Sequence, residues 1–148
     1  MARDGFDIHE LDKFTDRLIQ SSKEAKKAQR KFLQQQGNKL KRKTLQKARA
    51  QVNKVRVERK TYTREAGTYH KSIKRGKVHV KNGAQRVRVY SGDPVAHLIE
   101  DGWTPKLRNG KRGSKQAGKE IFEQAHEDFA PAFQKACEEE IDEMIGKL

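Results

Sequence analysis

Leu11, Phe14, Leu18, Ser21, Ala25, Ala28 and Phe32 recur at intervals of three and four residues. This spacing puts all seven on one narrow stripe of an α-helix about seven turns long. A stripe this narrow seats one neighbour, either the C-terminal helix of the same chain or a helix of another subunit. Asp7, with Glu10 three residues on, reads as a capping box, and Phe6 and Leu11 are spaced as a hydrophobic staple. The stripe is lost across Gln34–Asn38, where Gly37 weakens a helix. It resumes as Leu45, Ala48, Val52 and Val55. The pattern predicts a helix over 7–35, a break or kink, and a second helix over 39–57. A third helix is predicted from Lys119 to Gly146. Its stripe is Ile121, Phe122, Ala125, Phe129, Phe133, Ala136, Ile141, Met144 and Ile145, and Pro131 is expected to kink or restart it near Phe129.

Such helices suit a chain with little to bury. Of 148 residues, 36% are charged and 33% hydrophobic, against roughly a quarter and nearly half in an ordinary domain. The core is therefore expected to be small. No apolar run approaches the roughly 20 residues of a membrane helix, and Met1–Gly5 opens no secretory signal. Cys137 is the one cysteine, which excludes an internal disulfide framework and a cysteine-cluster metal site, and fits a reducing cytosol.

Between the helices the period changes. Residues 58–68 read as a loop and Tyr69–Ile73 as a short turn. Val78 and Val80, then Val87 and Val89, alternate with polar residues on either side of Asn82-Gly83, a strong hairpin signal. A hairpin over 77–90 is marginal alone and needs a helix or more strands to cover one face. Ser91-Gly92-Asp93-Pro94 turns into a short helix, Val95–Asp101, which Gly102 ends. Residues 104–118 read as a basic loop that is mobile until a partner orders it. The expected fold is α+β: long N- and C-terminal helices around a small antiparallel sheet, in one domain over 1–148. It divides into a helical arm (7–57), a central section (58–118) and a terminal helix (119–146).

Catalytic chemistry finds little purchase here. None of His9, His70, His79, His97 and His126 has the spacing of a zinc helix motif. His79 reads as a solvent-facing strand residue. His97 and Glu100 lie one helical turn apart, which suits a surface contact better than a proton-transfer pair. Cys137 reads as a buried thiol rather than a nucleophile. No phosphate-cradling Gly-rich loop occurs. The expectation is no catalytic residue, no metal and no cofactor.

Charge is the more informative feature. The net charge is +14. Residues 1–22 carry −2; residues 23–118 carry +22, with 28 basic groups against 6 acidic; residues 119–148 carry −6. Between Ala25 and Val57 there are 12 Lys or Arg and no Asp or Glu. Such a helix can meet duplex phosphates without reading sequence, and no recognition-helix signature accompanies it. The candidate contacts for DNA or an acidic partner are Lys39, Lys41, Arg42, Lys43 and Lys47 on the helix, and Lys106, Arg108, Lys111 and Arg112 in the basic loop. The acidic tail can pair with a basic region of the same or the next subunit, which makes head-to-tail assembly a consistent expectation.

Three short stretches carry a likeness to a known family. The first is Ala66-Gly67-Thr68-Tyr69-His70-Lys71-Ser72-Ile73, in which Gly67, Ser72 and Ile73 fit a Thr-Gly-x-Leu-Arg-x-Ser-Ile-type turn, while Ala66, Tyr69 and His70 depart from it. The second is Val95-Ala96-His97-Leu98-Ile99-Glu100-Asp101-Gly102, in which Ala96, Glu100 and Gly102 fit a Tyr-Ala-x-x-Val-Glu-x-Gly-type helix end, with Trp103 following where a small polar residue is usual. The third is the terminal helix entry, Gly118 to Ala125. In this order they resemble the HK97-gp10-like family of tailed-phage tail components, over roughly 60–146. The resemblance implies a structural virion protein of a phage or prophage. It would be a neck or tail-completion subunit, made in the bacterial host cytoplasm and forming a homo-oligomeric ring around the DNA path. Its partners would be a head-completion or connector protein and a tail terminator or tail tube protein, with non-specific contact to packaged DNA and no membrane. Gly67, Ser72, Ile73, Ala96, Glu100, Gly102 and Trp103 are then the motif and interface candidates. The alternative reading is a stand-alone, non-specific basic DNA-binding protein.

Overall fold

The computed structural model describes the backbone of residues 8–147 and, apart from residues 8–15, 17 and 18, their side chains. The Asp7–Glu10 box, the Phe6–Leu11 staple and the stripe positions Leu11, Phe14 and Leu18 therefore lie outside the described residues.

Helix α1 runs without interruption from Ile8 to Gln51, so the expected break at 34–38 is absent and the helix ends six residues short of 57. Tertiary packing overrides the weak propensity of Gly37. The glycine is buried beneath the hairpin, and a Cβ there would lie 2.9 Å from Arg75 Cδ and 3.1 Å from Val87 Cγ2. It marks a close approach, not a hinge. Gly37→Ala is accordingly expected to be near neutral in chemical unfolding, its helix gain of about 1 kcal/mol offset by crowding. Gly37→Leu should lose roughly 1–3 kcal/mol by overpacking. If the leucine variant were as stable as the native chain, the hairpin would not be seated on this turn.

After α1 the chain forms a small antiparallel pair, β1 (Val57–Glu58) with β2 (Thr63–Arg64), in the stretch expected to be a loop. Helix α2 (Thr68–Ser72) follows Gly67, whose φ of 78° is left-handed. A long ribbon comes next. Strand β3 (Ile73–Arg75) pairs with β6 (Val89–Ser91), and β4 (His79–Lys81) with β5 (Ala84–Arg86). The Gly76 amide, donating to the Arg88 carbonyl at 2.7 Å, joins the two stretches. Asn82 and Gly83 both have positive φ, 53° and 76°, as a type I′ turn requires. Val89 is buried, Val78 and Val87 are half-buried, and His79 and Val80 face solvent.

Helix α3 (Ala96–Asp101) leads into β7 (Gly102–Trp103), which pairs with β8 (Gln116–Ala117). A further bridge joins Lys106 to Arg112. The expected basic loop is thus a second β-ribbon. Helix α4 (Ile121–Gly146) continues through Pro131 instead of restarting near Phe129. Phe129 and Phe133 flank the proline and lie 6.0 Å apart, and Phe133 stacks on Phe32 of α1 at 6.2 Å. Both halves of α4 are thereby held while one ladder hydrogen bond is missing.

Helices α1 and α4 pack antiparallel. Gln51 Nε2 donates to Gln124 Oε1 at 2.9 Å at one end, and Phe32 meets Phe133 farther along. Of the N-terminal stripe, Phe32 is met by α4 of the same chain, while Ala25 and Ala28 are half-buried. The core sits under the C-terminal half of α1: Leu40, Ala48, Tyr69, Ile73, Val89, Ile121 and Ala125 are buried, with Leu45, Val52, Ala96, Ile99, Phe122 and Phe129 against them. It is as small as the composition requires. Val55, assigned to the stripe, is 61% exposed because the helix has ended before it.

Candidate interaction surface

Five of the seven motif residues, Ser72, Ile73, Ala96, Glu100 and Gly102, lie about one joint between the ribbon, α3 and α4, while Gly67 opens α2 beside the Lys54 side chain. Ser72 Oγ donates to the Tyr69 carbonyl and bonds Ser91 Oγ. Ser91 Oγ also accepts the Asp93 amide at 3.2 Å. Asp93 Oδ1 accepts the Val95 amide at 3.2 Å, opening the turn into α3. Arg64 of β2 grips the same carboxylate through both terminal nitrogens, one at 2.8 Å. The Asp93 side chain has no solvent exposure and that of Arg64 has 23%. The hydrogen bond from Arg64 holds the Asp93 carboxyl below the usual carboxylate range, and Asp93 in turn raises Arg64. Sequence reading passed over this pair because 29 residues separate its members.

Ile73 lies in the core at 2% exposure and Ala96 packs against it. Tyr69 and His70, the departures from the family turn, are both buried. His70 Nε2 lies 3.1 Å from the Ala48 carbonyl and ties α2 to α1. Burial, then the nearby Glu100 and Asp93 charges, push the Tyr69 phenol up to about 12.

Glu100 reaches from α3 to the N-terminus of α4. Its carboxylate accepts the Phe122 amide at 3.0 and 3.1 Å and the Glu123 amide at 3.1 Å. An anion on the unpaired amides of a helix start satisfies both the donors and the helix dipole. His97, one turn away, is exposed. Glu100→Ala is expected to lose roughly 1–2 kcal/mol of stability in urea unfolding, with Glu100→Gln losing less because one acceptor oxygen remains. Equal losses in the two variants would argue against the cap. Trp103 differs from the other six, standing 48% exposed at the root of the second ribbon.

The basic candidates fall into two groups. On α1, Lys39 and Arg42 are exposed and Lys41 is half-buried. Lys43 and Lys47 turn toward α4, where Lys43 Nζ donates to the Asp128 carbonyl at 3.3 Å and Lys47 pairs with the Asp128 carboxylate. That pairing holds the Asp128 carboxyl below its ordinary range. On the second ribbon, Lys106, Arg108, Lys111 and Arg112 are all exposed. The ribbon tip is ordered by its own backbone: Leu107 N donates to Lys111 O at 2.8 Å, Gly110 N to Leu107 O at 2.9 Å and Gly113 N to Pro105 O at 2.7 Å. At the far end of α4, Glu138, Glu139, Asp142 and Glu143 are exposed.

Cys137 is half-buried rather than buried, and burial, then Glu138, raises its thiol above the ordinary value. Among the described residues, no three His, Cys, Asp or Glu stand where they could hold a metal ion, and no helix is long and apolar enough to cross a membrane. The surface offers ordered charge of both signs.

Residues 12–102 match the sequence family described as "Bacteriophage HK97-gp10, putative tail-component". No curated protein and no solved structure matches the chain.

Proposed function

The chain belongs to the HK97-gp10-like family of bacteriophage tail components, and from that premise we propose that it is a neck or tail-completion subunit. In this reading it acts as one domain. Copies form an oligomeric ring around the DNA path that joins the head connector to the tail terminator, in a particle assembled in the host cytoplasm. Its work is assembly, without catalysis or cofactor. The observation that supports this most is the segregation of exposed charge: a basic ribbon and the Lys39–Arg42 face of α1 against an acidic end of α4. A protein beside packaged DNA is helped by a basic surface, and a subunit that must meet its own copy is helped by surfaces of opposite sign. The motif residues Ser72, Ile73, Ala96, Glu100 and Gly102, with Gly67 at the start of α2, serve assembly indirectly, by fixing the joint from which Trp103 and the ribbon project.

Sedimentation at ~150 mM salt, a physiological level, with and without a short duplex, tests the reading. A closed oligomer without DNA is the expected result. A monomer that changes mass only when DNA is added would replace the ring with a stand-alone basic DNA-binding protein, a reading favoured by the exposed Lys106, Arg108, Lys111 and Arg112. In that case affinity should fall by orders of magnitude between ~50 and ~200 mM salt, as several phosphate contacts dictate.

A further inference from the structure

The charge polarity also suggests how one copy meets the next. Between α1 and α4, near the C-terminal end of α4, lies an open groove of about 450 Å³. Its floor is apolar: Ala25 and Ala28 from α1, and Ile141, Met144 and Ile145 from α4. Ile141 and Ile145 are 54% and 61% exposed, a poor state for two isoleucines one turn apart. Its rim is acidic, with Glu24, Glu140 and Glu143. Glu143 is paired with Lys147 at 3.1 Å, an exposed contact that is easily exchanged.

The tip of the second ribbon has the opposite character. Leu107 is 47% exposed at its apex, between Lys106 and Arg108 and across from Lys111 and Arg112. An apolar apex ringed by cations matches an apolar floor rimmed by carboxylates. The two features cannot meet within one chain. The ribbon is rooted beside the N-terminus of α4, about 30 Å along the helix axis from Ile141 at 1.5 Å per residue. A seven-residue strand reaches only about 23 Å.

We propose that the basic ribbon tip of one copy seats in the acidic-rimmed groove between α1 and α4 of a second copy, with Leu107 on the isoleucines and Arg108 and Lys111 against Glu140 and Glu143. Two different surfaces then form each contact. The arrangement is head-to-tail, which closes into a ring when the rotation between copies permits. The proposal rests on the ring reading and specifies its interface.

The test uses the full chain in two variants: Arg108→Glu/Lys111→Glu on the ribbon and Glu140→Lys/Glu143→Lys in the groove. All four positions lie on the surface or its edge, and circular dichroism checks the fold. Sedimentation of each variant alone should show a monomer, with half-assembly needing at least about 100-fold more protein than the native chain, as like charges at a contact dictate. Mixed in equal amounts, the two should assemble beyond a dimer with copies alternating, because the native ribbon of one fits the native groove of the other and the two reversed surfaces fit each other. Combining all four substitutions in one chain should restore the closed oligomer. Leu107→Asp should abolish assembly by itself. A native ring with variants that assemble equally well would overturn this contact and leave the ring reading standing. A native chain that stays monomeric at every concentration would overturn both.

Discussion

Alanine at Gly118 is expected to leave little folded protein, a loss of more than about 4 kcal/mol, which few single substitutions reach. At this point two backbone segments cross without side chains between them. A Cβ on Gly118 would stand 2.2 Å from the Glu100 carbonyl oxygen and 2.6 Å from the Asp101 carbonyl carbon. The reciprocal position is as tight: a Cβ on Gly102 would meet the Gln116 carbonyl oxygen at 2.2 Å. Gly102 also has φ of 82°, so alanine there adds left-handed strain to the overlap. Neither obstacle is a flexible side-chain end that could swing aside. The segments are pinned by Lys119 N donating to Ile99 O at 2.7 Å and Glu120 N to Glu100 O at 3.1 Å. Relief would separate α3 from the start of α4 and draw Glu100 off its amides. Gly110 is the control. It shares the positive φ, 79°, but a Cβ there meets nothing within 4 Å, so Gly110→Ala should cost only about 1–2 kcal/mol. Urea unfolding of the three variants checks the ranking; a Gly118→Ala chain as stable as Gly110→Ala would show that the crossing is not this close.

The second large effect belongs to Asp93. Asp93→Ala should cost roughly 2–3 kcal/mol, below the 3–5 kcal/mol of a fully buried broken pair because Arg64 keeps some contact with water. The substitution also strips the Val95 amide of its acceptor and frees the turn into α3. The pH dependence has a definite sign. Asp93 is held below its ordinary value in the folded state. Its contribution is therefore complete above the unfolded carboxylate range near pH 4 and is lost as pH falls through the lowered folded value. Asp93→Asn removes that ionisation, so the variant should lose less stability on acidification than the native chain. Parallel acid profiles for the two proteins would mean that another carboxylate governs the acid limb.

Much of this was legible along the chain. The helical stripes, the Asn82-Gly83 turn, the short helix ended by Gly102 and the small core follow from periods and turn chemistry that act within a few residues. The family resemblance rested on residues of the same local kind. The family match bears out the family and contains the first two motifs, but it runs over 12–102, reaching back along α1 and leaving the third motif, Gly118 to Ala125, outside. The misreadings share a different cause. Gly37 read as a break because its propensity is local, while the ribbon packed onto it lies some forty residues away. Pro131 read as a kink or restart because the aromatic contact of Phe133 with Phe32 joins residues about a hundred positions apart. Residues 104–118 read as a loop because a ribbon with Lys and Arg on both strands has no apolar alternation to announce it.

The candidate residues divide along the same line. Sequence by itself determined which residues bear charge, that the chain is built from long helices about a hairpin, and that little apolar surface is available to bury. Tertiary structure alone decided what each of those residues does. It turned Lys43 and Lys47 inward to Asp128 and left Lys106, Arg108, Lys111 and Arg112 in solvent. It set Glu100 as a helix cap, paired Arg64 with Asp93, and brought Gly102 against Gly118. Helix periods and turns are settled by the neighbouring few residues, whereas a hydrogen bond or a backbone crossing between distant segments exists only once packing has chosen which surfaces meet.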